Sequence, residues 1–419
     1  MNDEYKIVRD PIHGNIKLSG LFLDILDTLE IQRLYNIKQL GFAHLVFPGA
    51  HHTRLEHSLG AYKIASELSL NLNLDEQDQR IIQCAAILHD IGHGPFSHTL
   101  EALLLERFNI DHVDITERLI TGEYNIYEEA ERRLIPHSNT IHELLEKSDI
   151  DENELVKIIR GTSKNKVYLS QMMNSTIDID QLDYLMRDAY YTGVAYGMID
   201  TDRLMQTLTI HDNQLMIERK GVTVVENILM ARNLMYSSVY FHKTVRIAEL
   251  MLSKALEALP DPQPFNLFRL TDWEILNELR KQGSYQYEIV TRLKYRKLFK
   301  QSYMVSRHEC DKETLAVLMK LEDPDVRRER EERIEERFHI PRGHVILDAP
   351  LPELQHSEPR LHRTDIPILQ DGKPRSLDEF TPIAKAIRSR DTPDWVLMVI
   401  TDEKHRDVLA KGVEKYLLE

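Results

Sequence analysis

Leu88-His89-Asp90-Ile91-Gly92-His93-Gly94-Pro95-Phe96-Ser97-His98 closes the run Ile81-Ile82-Gln83-Cys84-Ala85-Ala86-Ile87-Leu88. That run is apolar on nearly all faces, which predicts a buried helix with His89 and Asp90 at its inner end. Gly92, Gly94 and Pro95 then stop it. An imidazole beside a carboxylate at a buried helix end matches what a metal ion binds. Two further ligands of the same kinds stand elsewhere, His57 in Arg54-Leu55-Glu56-His57 and Asp180 in Asp178-Ile179-Asp180. Equal numbers of imidazole nitrogens and carboxylate oxygens suit one divalent cation (Mn, Fe, Ni, Zn or Mg) and leave positions for water and a substrate oxygen. An open site of this kind favours hydrolysis over a structural role.

Working outward, Thr53-Arg54-Leu55-Glu56 fits a capping box that starts a helix at Arg54 and puts His57 in its first turns. Helix-period spacing continues to about residue 260. On one such helix Asp180, Tyr184 and Arg187 or Asp188 fall three or four residues apart, hence on one stripe. Pro260-Asp261-Pro262-Gln263-Pro264 breaks the pattern. The expectation is a mainly α protein, with a helical core that carries the metal site over residues 1–260 and a small α+β region over 261–419. In that region Asp272 to Lys281, Tyr287 to Lys297 and Pro324 to Phe338 read as helices, the last solvated because of its mixed charges from Arg327 to Arg337. His344 to Asp348 and Trp395 to Ile400 read as strands and Asp371-Gly372 as a hairpin turn, with a final helix after them.

The 419 residues exceed one typical domain, which favours a large core with an appended region. A formal net charge of -15 argues against nucleic acid as the main partner, although a cation and a few arginines can reverse the potential inside a cleft for a small anion. Two cysteines, one in an apolar helical run, exclude a disulfide framework and a thiolate metal site. No apolar run reaches membrane-spanning length and the first residues lack a signal-peptide pattern, so a cytoplasmic location is expected.

Asp10-Pro11-Ile12-His13-Gly14, Gln32-Arg33-Leu34, Ile37-Lys38-Gln39-Leu40-Gly41 and Val46-Phe47-Pro48-Gly49-Ala50, with the motifs above, resemble the HD-domain deoxynucleoside triphosphate triphosphohydrolases. The likeness is closest to the sterile-alpha-motif and HD-domain branch, without a sterile-alpha-motif domain in front, and covers about residues 5 to 250. It implies hydrolysis of dNTP to deoxynucleoside and intact triphosphate by a homodimer or homotetramer. It implies His57, His89, Asp90 and Asp180 as metal ligands and Arg54 as a phosphate-binding arginine. His93, His98, Glu101 and His112 fall at catalytic acid or base positions. Gln39, Leu40, Tyr184, Asp188, Arg232, Tyr240 and Lys243 fall at substrate-lining positions, and Asp27, Gln32 and Arg203 at an activating nucleotide site.

This sequence departs from the family pattern at four places. Glu101 stands for an Asp, Val113 for a Glu, Gln181 for a Lys, and Tyr35 for an Arg of the activating site. Phosphate-ester cleavage needs an in-line water, neutralised oxygens and a proton for the leaving 5′ oxygen. Arg54 would clamp phosphate, and His98 or His93 would act as the acid, oriented by Glu101 or His112. Tyr240 beneath the sugar would exclude a 2′ hydroxyl. Without the resemblance, Tyr184 and Tyr240 read as core aromatics, and Arg232 and Lys243 as solvation of a helix face. A nucleoside monophosphate, a cyclic nucleotide, or non-catalytic nucleotide sensing are the competing readings of the same constellation.

Overall fold

The Thr53 hydroxyl accepts the amide of Glu56 while the Glu56 carboxylate accepts the amide of Thr53, so the expected capping box forms and starts helix α1 (Arg54–Asn71). The computed structural model describes residues 4–97, 103–105, 109–136, 138–259, 264–349, 364–389 and 395–417. The remaining helices that frame the site or brace it are α2 (Glu76–Leu88), α3 (His112–Ile120), α4 (Ile179–Thr192), α5 (Val222–Met235), α6 (Lys243–Glu257), α7 (Asp272–Arg280), α8 (Ser284–Lys294) and α9 (Pro324–Phe338). The protein is mainly α, as expected, and among the described residues none of its helices is long and apolar enough to cross a membrane.

Three small sheets complete the structure. Strands β1 (Tyr5–Asp10) and β2 (Gly14–Ser19) form an antiparallel hairpin. A four-stranded sheet has the order β3-β4-β7-β8, from β3 (Leu208–His211), β4 (Gln214–Glu218), β7 (Pro367–Gln370) and β8 (Lys373–Ser376). Asp371 and Gly372 both have positive φ between β7 and β8, which is the two-residue hairpin turn that Asp-Gly favours. β4 pairs in parallel with β7, so this sheet joins chain from both sides of the proline cluster. The third sheet has the order β5-β9-β6, from β5 (Lys300–Ser306), β6 (Val345–Asp348) and β9 (Trp395–Thr401). β9 is buried on both faces, with Met398 and Ile400 in the large core that includes α1 and α2, and Leu397 and Val399 in a smaller core with Ile334 and Leu409.

The charge run of α9 corrects the expectation of a solvated helix. Glu331 and Glu335 are buried on its inner face, where Glu331 accepts the Leu347 amide at 2.8 Å and Glu335 the Val345 amide at 2.9 Å. β6 is an edge strand, and its outward amides need acceptors that no neighbouring strand supplies. Lys254 of α6 pairs with Glu331. Burial pushes the Glu335 carboxyl up from 4.5 to about 7. Because the folded value is the higher one, the stability it contributes is present below pH 4.5 and lost as pH rises through 7. Glu335→Gln keeps an acceptor oxygen for Val345 and removes the ionisation. The variant is expected to gain roughly 2–3 kcal/mol on the wild type between pH 4.5 and pH 8. Urea unfolding at both pH values checks this, and a difference that does not change with pH refutes it.

Candidate metal centre and adjoining pocket

Three helix termini and one short bridge assemble the site. His57 projects from the first turns of α1, His89 caps the C-terminus of α2 with Asp90 next in chain, and Asp180 sits in the first turn of α4. His57 Nε2 lies 3.2 Å from His89 Nε2 and 3.1 Å from Asp180 Oδ1. His89 Nε2 is 3.3 Å from Asp90 Oδ1 and 3.7 Å from Asp180 Oδ1, and His57 Nε2 is 3.8 Å from Asp90 Oδ2. All four side chains expected as ligands therefore converge. His57, His89 and Asp90 offer donor atoms within 4.8 Å of one another.

The geometry also shows that a cation fits. His57 Nδ1 donates to Asp183 Oδ2 at 2.8 Å, and His89 Nδ1 donates to the Ala86 carbonyl at 2.8 Å. Both rings thus turn their Nε2 lone pairs toward each other, an arrangement that needs a positive charge between them. Burial pulls the His57 ring down, but the carboxylates of Asp180 and Asp183 raise it to about 10. Asp90 stays well below the usual carboxylate range in spite of burial, because His89, Arg54 and His93 surround it.

Beneath the ligands lies a layer of partners not given a role from sequence. Asp183 takes His57 on one oxygen and His13 Nε2 on the other at 2.6 Å, and Arg187 forks onto it at 2.8 and 3.0 Å while reaching Asp10 at 2.7 Å. Gly60 makes room for this: a Cβ there would meet Asp183 Oδ1 at 1.9 Å and Arg187 at 2.4 Å. The single stripe expected on α4 is in fact two, because successive residues turn by about 100°. Asp183 and Arg187 face inward as an i,i+4 pair, whereas Asp180, Tyr184 and Asp188 follow the neighbouring row. That i,i+4 acid–base pair beside a proposed ligand was the only sequence signal for the layer.

Arg54 is buried, with its guanidinium on Asp90 and its Nε on Ser97 Oγ at 2.9 Å. His93 Nε2 lies 3.3 Å from Asp90 Oδ1, and its ring stacks on that of His112 at 3.8 Å. Burial, with Arg54 and His112 close by, lowers His93 to about 3, so its ring is neutral near pH 7. Its contact with Asp90 puts the ring beside the candidate ligands. The other expected acid, His98, and its expected partner Glu101 lie outside the described residues. Thr116 of α3 donates to the His89 carbonyl at 3.2 Å and accepts the Gly92 amide at 3.0 Å, which docks the His-Asp turn.

Two turns along α4, Asp188 accepts from His52 Nε2 and from the Tyr240 hydroxyl, each at 2.7 Å. Tyr240 comes from a π turn, Tyr236–Tyr240, that ends α5, a register change frequent at functional sites. Tyr184 meets the Tyr240 ring edge-on at 6.0 Å. His52 was not anticipated, and nothing in its local sequence marks it. A short bridge pairs Lys38 with Thr53, and the Gln39 amide bonds the His52 carbonyl at 3.0 Å. Gln39 and Leu40 are buried beside it, and Gln39 Oε1 has no hydrogen-bond partner among the described residues.

Other assignments disperse. Arg232 is fully buried rather than solvating a face and donates to the Thr176 carbonyl at 3.0 Å. The Lys243 ammonium lies 5.6 Å over the Trp395 ring, and no hydrogen bond or ion pair among the described residues joins it to Asp188 or the metal ligands. Asp27 pairs with Lys6, Gln32 bonds the Leu26 carbonyl, and Arg203 bonds the Lys220 carbonyl. These three residues are exposed and share no hydrogen bond or ion pair among the described residues.

Helices presenting two histidines and two aspartates to one point define the class, a metal-dependent phosphohydrolase of HD type. The comparisons place the chain: residues 54–188 match the HD domain and residues 199–418 the HD associated region, so the protein belongs to the HD-domain family that carries this region. It is 32% identical to an uncharacterized protein of Methanocaldococcus jannaschii over 98% of this chain and 82% of the other. It is 29% identical to deoxynucleoside triphosphate triphosphohydrolase SAMHD1 of Gallus gallus over 71% of this chain and 56% of that one, so the match spans little more than half of the latter. A crystal structure of a hypothetical protein from Aquifex aeolicus superposes with a TM-score of 0.72 at 31% identity, covering 98% of this chain and all of that one.

Proposed function

We propose that this protein hydrolyses a deoxynucleoside triphosphate to the deoxynucleoside and inorganic triphosphate. The observation that carries the reading is that α4 bears both Asp180, facing His57 and His89, and Asp188, held by His52 and Tyr240. Eight residues advance a helix by about 12 Å, a spacing that would separate a phosphate subsite from a sugar subsite. A divalent ion held by His57, His89, Asp90 and Asp180 would supply charge neutralisation at phosphate and an acidified water. Arg54, braced by Ser97 and Asp90, is placed to share the phosphate charge. Asp188 is oriented by two donors to receive a sugar hydroxyl, and the buried Gln39 Oε1 offers an acceptor to the same ligand. The likeness to SAMHD1 supports this substrate class.

The test is to incubate purified protein with Mn or Mg and each dNTP, alongside the matching ribonucleotides, and to identify the products by phosphorus NMR. Inorganic triphosphate is the expected product, with ribonucleotides slower by about tenfold or more. Monophosphate or pyrophosphate as the sole phosphorus product overturns the reading and moves the enzyme to another phosphoester.

A further inference from the structure

We infer that Asp272, the first residue of α7 in the associated region, is a positioning residue that clamps the two loops of the candidate site to each other. Its Oδ1 accepts the Phe96 amide and its Oδ2 the Lys38 amide, both at 3.0 Å. The first loop carries Ser97, which holds Arg54, and follows His93; the second carries Gln39 and continues into the bridge with Thr53. Asp272 is buried, 4% exposed, and comes from a segment more than 170 residues away from either loop.

Its carboxylate is not occupied with its own helix. The start of α7 is already closed by the capping box of Thr271 and Glu274, so both Asp272 oxygens serve distant backbone. Phe96 supplies the second observation. It has φ of 46°, a left-handed backbone that costs a bulky aromatic residue energy, and is kept there by the Asp272 bond and by stacking of its ring on Phe42 at 4.3 Å. Arg33 adds a parallel strut, donating to the Ile91 and His93 carbonyls at 3.0 and 2.7 Å and to the Leu270 carbonyl at 3.3 Å. Release of Asp272 lets Phe96 relax, and Ser97 then shifts away from Arg54.

The inference rests on the function proposed above, and the test separates the two. Full-length, metal-loaded wild type, Asp272→Ala, Asp272→Asn and Thr271→Ala are compared in three measurements: metal content, hydrogen exchange of residues 36–42 and 91–97, and kcat and KM for the preferred dNTP. Asp272→Ala is expected to retain its metal, to exchange faster in both segments, and to lose kcat by about tenfold or more, as misplaced reacting groups do. Asp272→Asn, which keeps one acceptor and turns an N–H against the other donor, falls between. Thr271→Ala weakens the same helix start but keeps wild-type kcat and exchange in the loops. Wild-type kcat and unchanged exchange in a folded Asp272→Ala protein overturn the clamp, and if that variant does not fold, Asp272→Asn decides by the same measures. Should the wild type hydrolyse no dNTP, the functional reading falls while the exchange data still judge the clamp.

Discussion

Asp180→Ala is expected to leave a folded protein that no longer retains its divalent ion and hydrolyses phosphoesters on the order of a thousandfold more slowly. A cation at phosphate contributes several kcal/mol to the transition state, and each 1.36 kcal/mol is a factor of ten. Asp180 is the ligand to remove, because its side chain is 25% exposed whereas those of His57, His89 and Asp90 are nearly inaccessible, so truncation opens no core cavity. His57 keeps its bond to Asp183 and His89 its bond to Ala86, and the imidazole pair loses only the carboxylate that faces both. Metal analysis after dialysis, turnover with excess Mn, and thermal melting together test this. Full metal occupancy with unaltered turnover would remove Asp180 from the site and, with it, the single-cation centre.

Arg187→Ala should have the largest effect on stability. Arg187 is completely buried, and its guanidinium is shared by Asp183 and Asp10. Without it two carboxylates remain in the interior, with only His13 and His57 to answer Asp183. Removing one partner of a buried pair costs about 3–5 kcal/mol, because the remaining charge keeps its desolvation penalty. In a chain of 419 residues that is a fall in melting temperature of about 3–6 °C. The orientation of His57 depends on Asp183, so metal affinity should fall by roughly 10–100-fold as well. Arg187→Lys should recover only part of the loss, since an ammonium cannot fork onto one carboxylate while reaching another. By comparison, removing the exposed pair Arg333–Glu329 should change stability by less than about 1 kcal/mol. If Arg187→Ala melts with the wild type and binds metal equally well, the buried layer is not what supports His57.

Much of the site was legible because its signals are local. A capping box announces itself within four residues, and the Ile81–Leu88 run could hardly end elsewhere than at His89-Asp90 and the glycines after it. The Asp371-Gly372 turn and the Trp395–Ile400 strand were readable for the same reason: turn chemistry and apolar runs act over a few residues. His52, Asp272 and the buried faces of α9 were not legible. Each owes its place to a partner 10 or more residues distant, and a polar side chain looks the same in sequence whether it meets water or a strand edge. α9 is the clearest case, since its charge run hides two carboxylates that close the open side of β6.

The amino-acid order alone settled a helical chain whose buried apolar run ends in His89-Asp90, the placing of His57 one turn into a capped helix, and a donor set suited to a divalent ion. These follow from backbone periodicity and residue chemistry, which need no distant partner. Only the tertiary structure decided that Asp183 and Arg187 turn inward under the candidate metal ligands, that Asp188 is held by His52 and Tyr240, and that Asp272 of the associated region accepts amides from both loops. Burial converts those bonds from replaceable contacts with water into obligations, and the folded chain alone determines which groups are buried together.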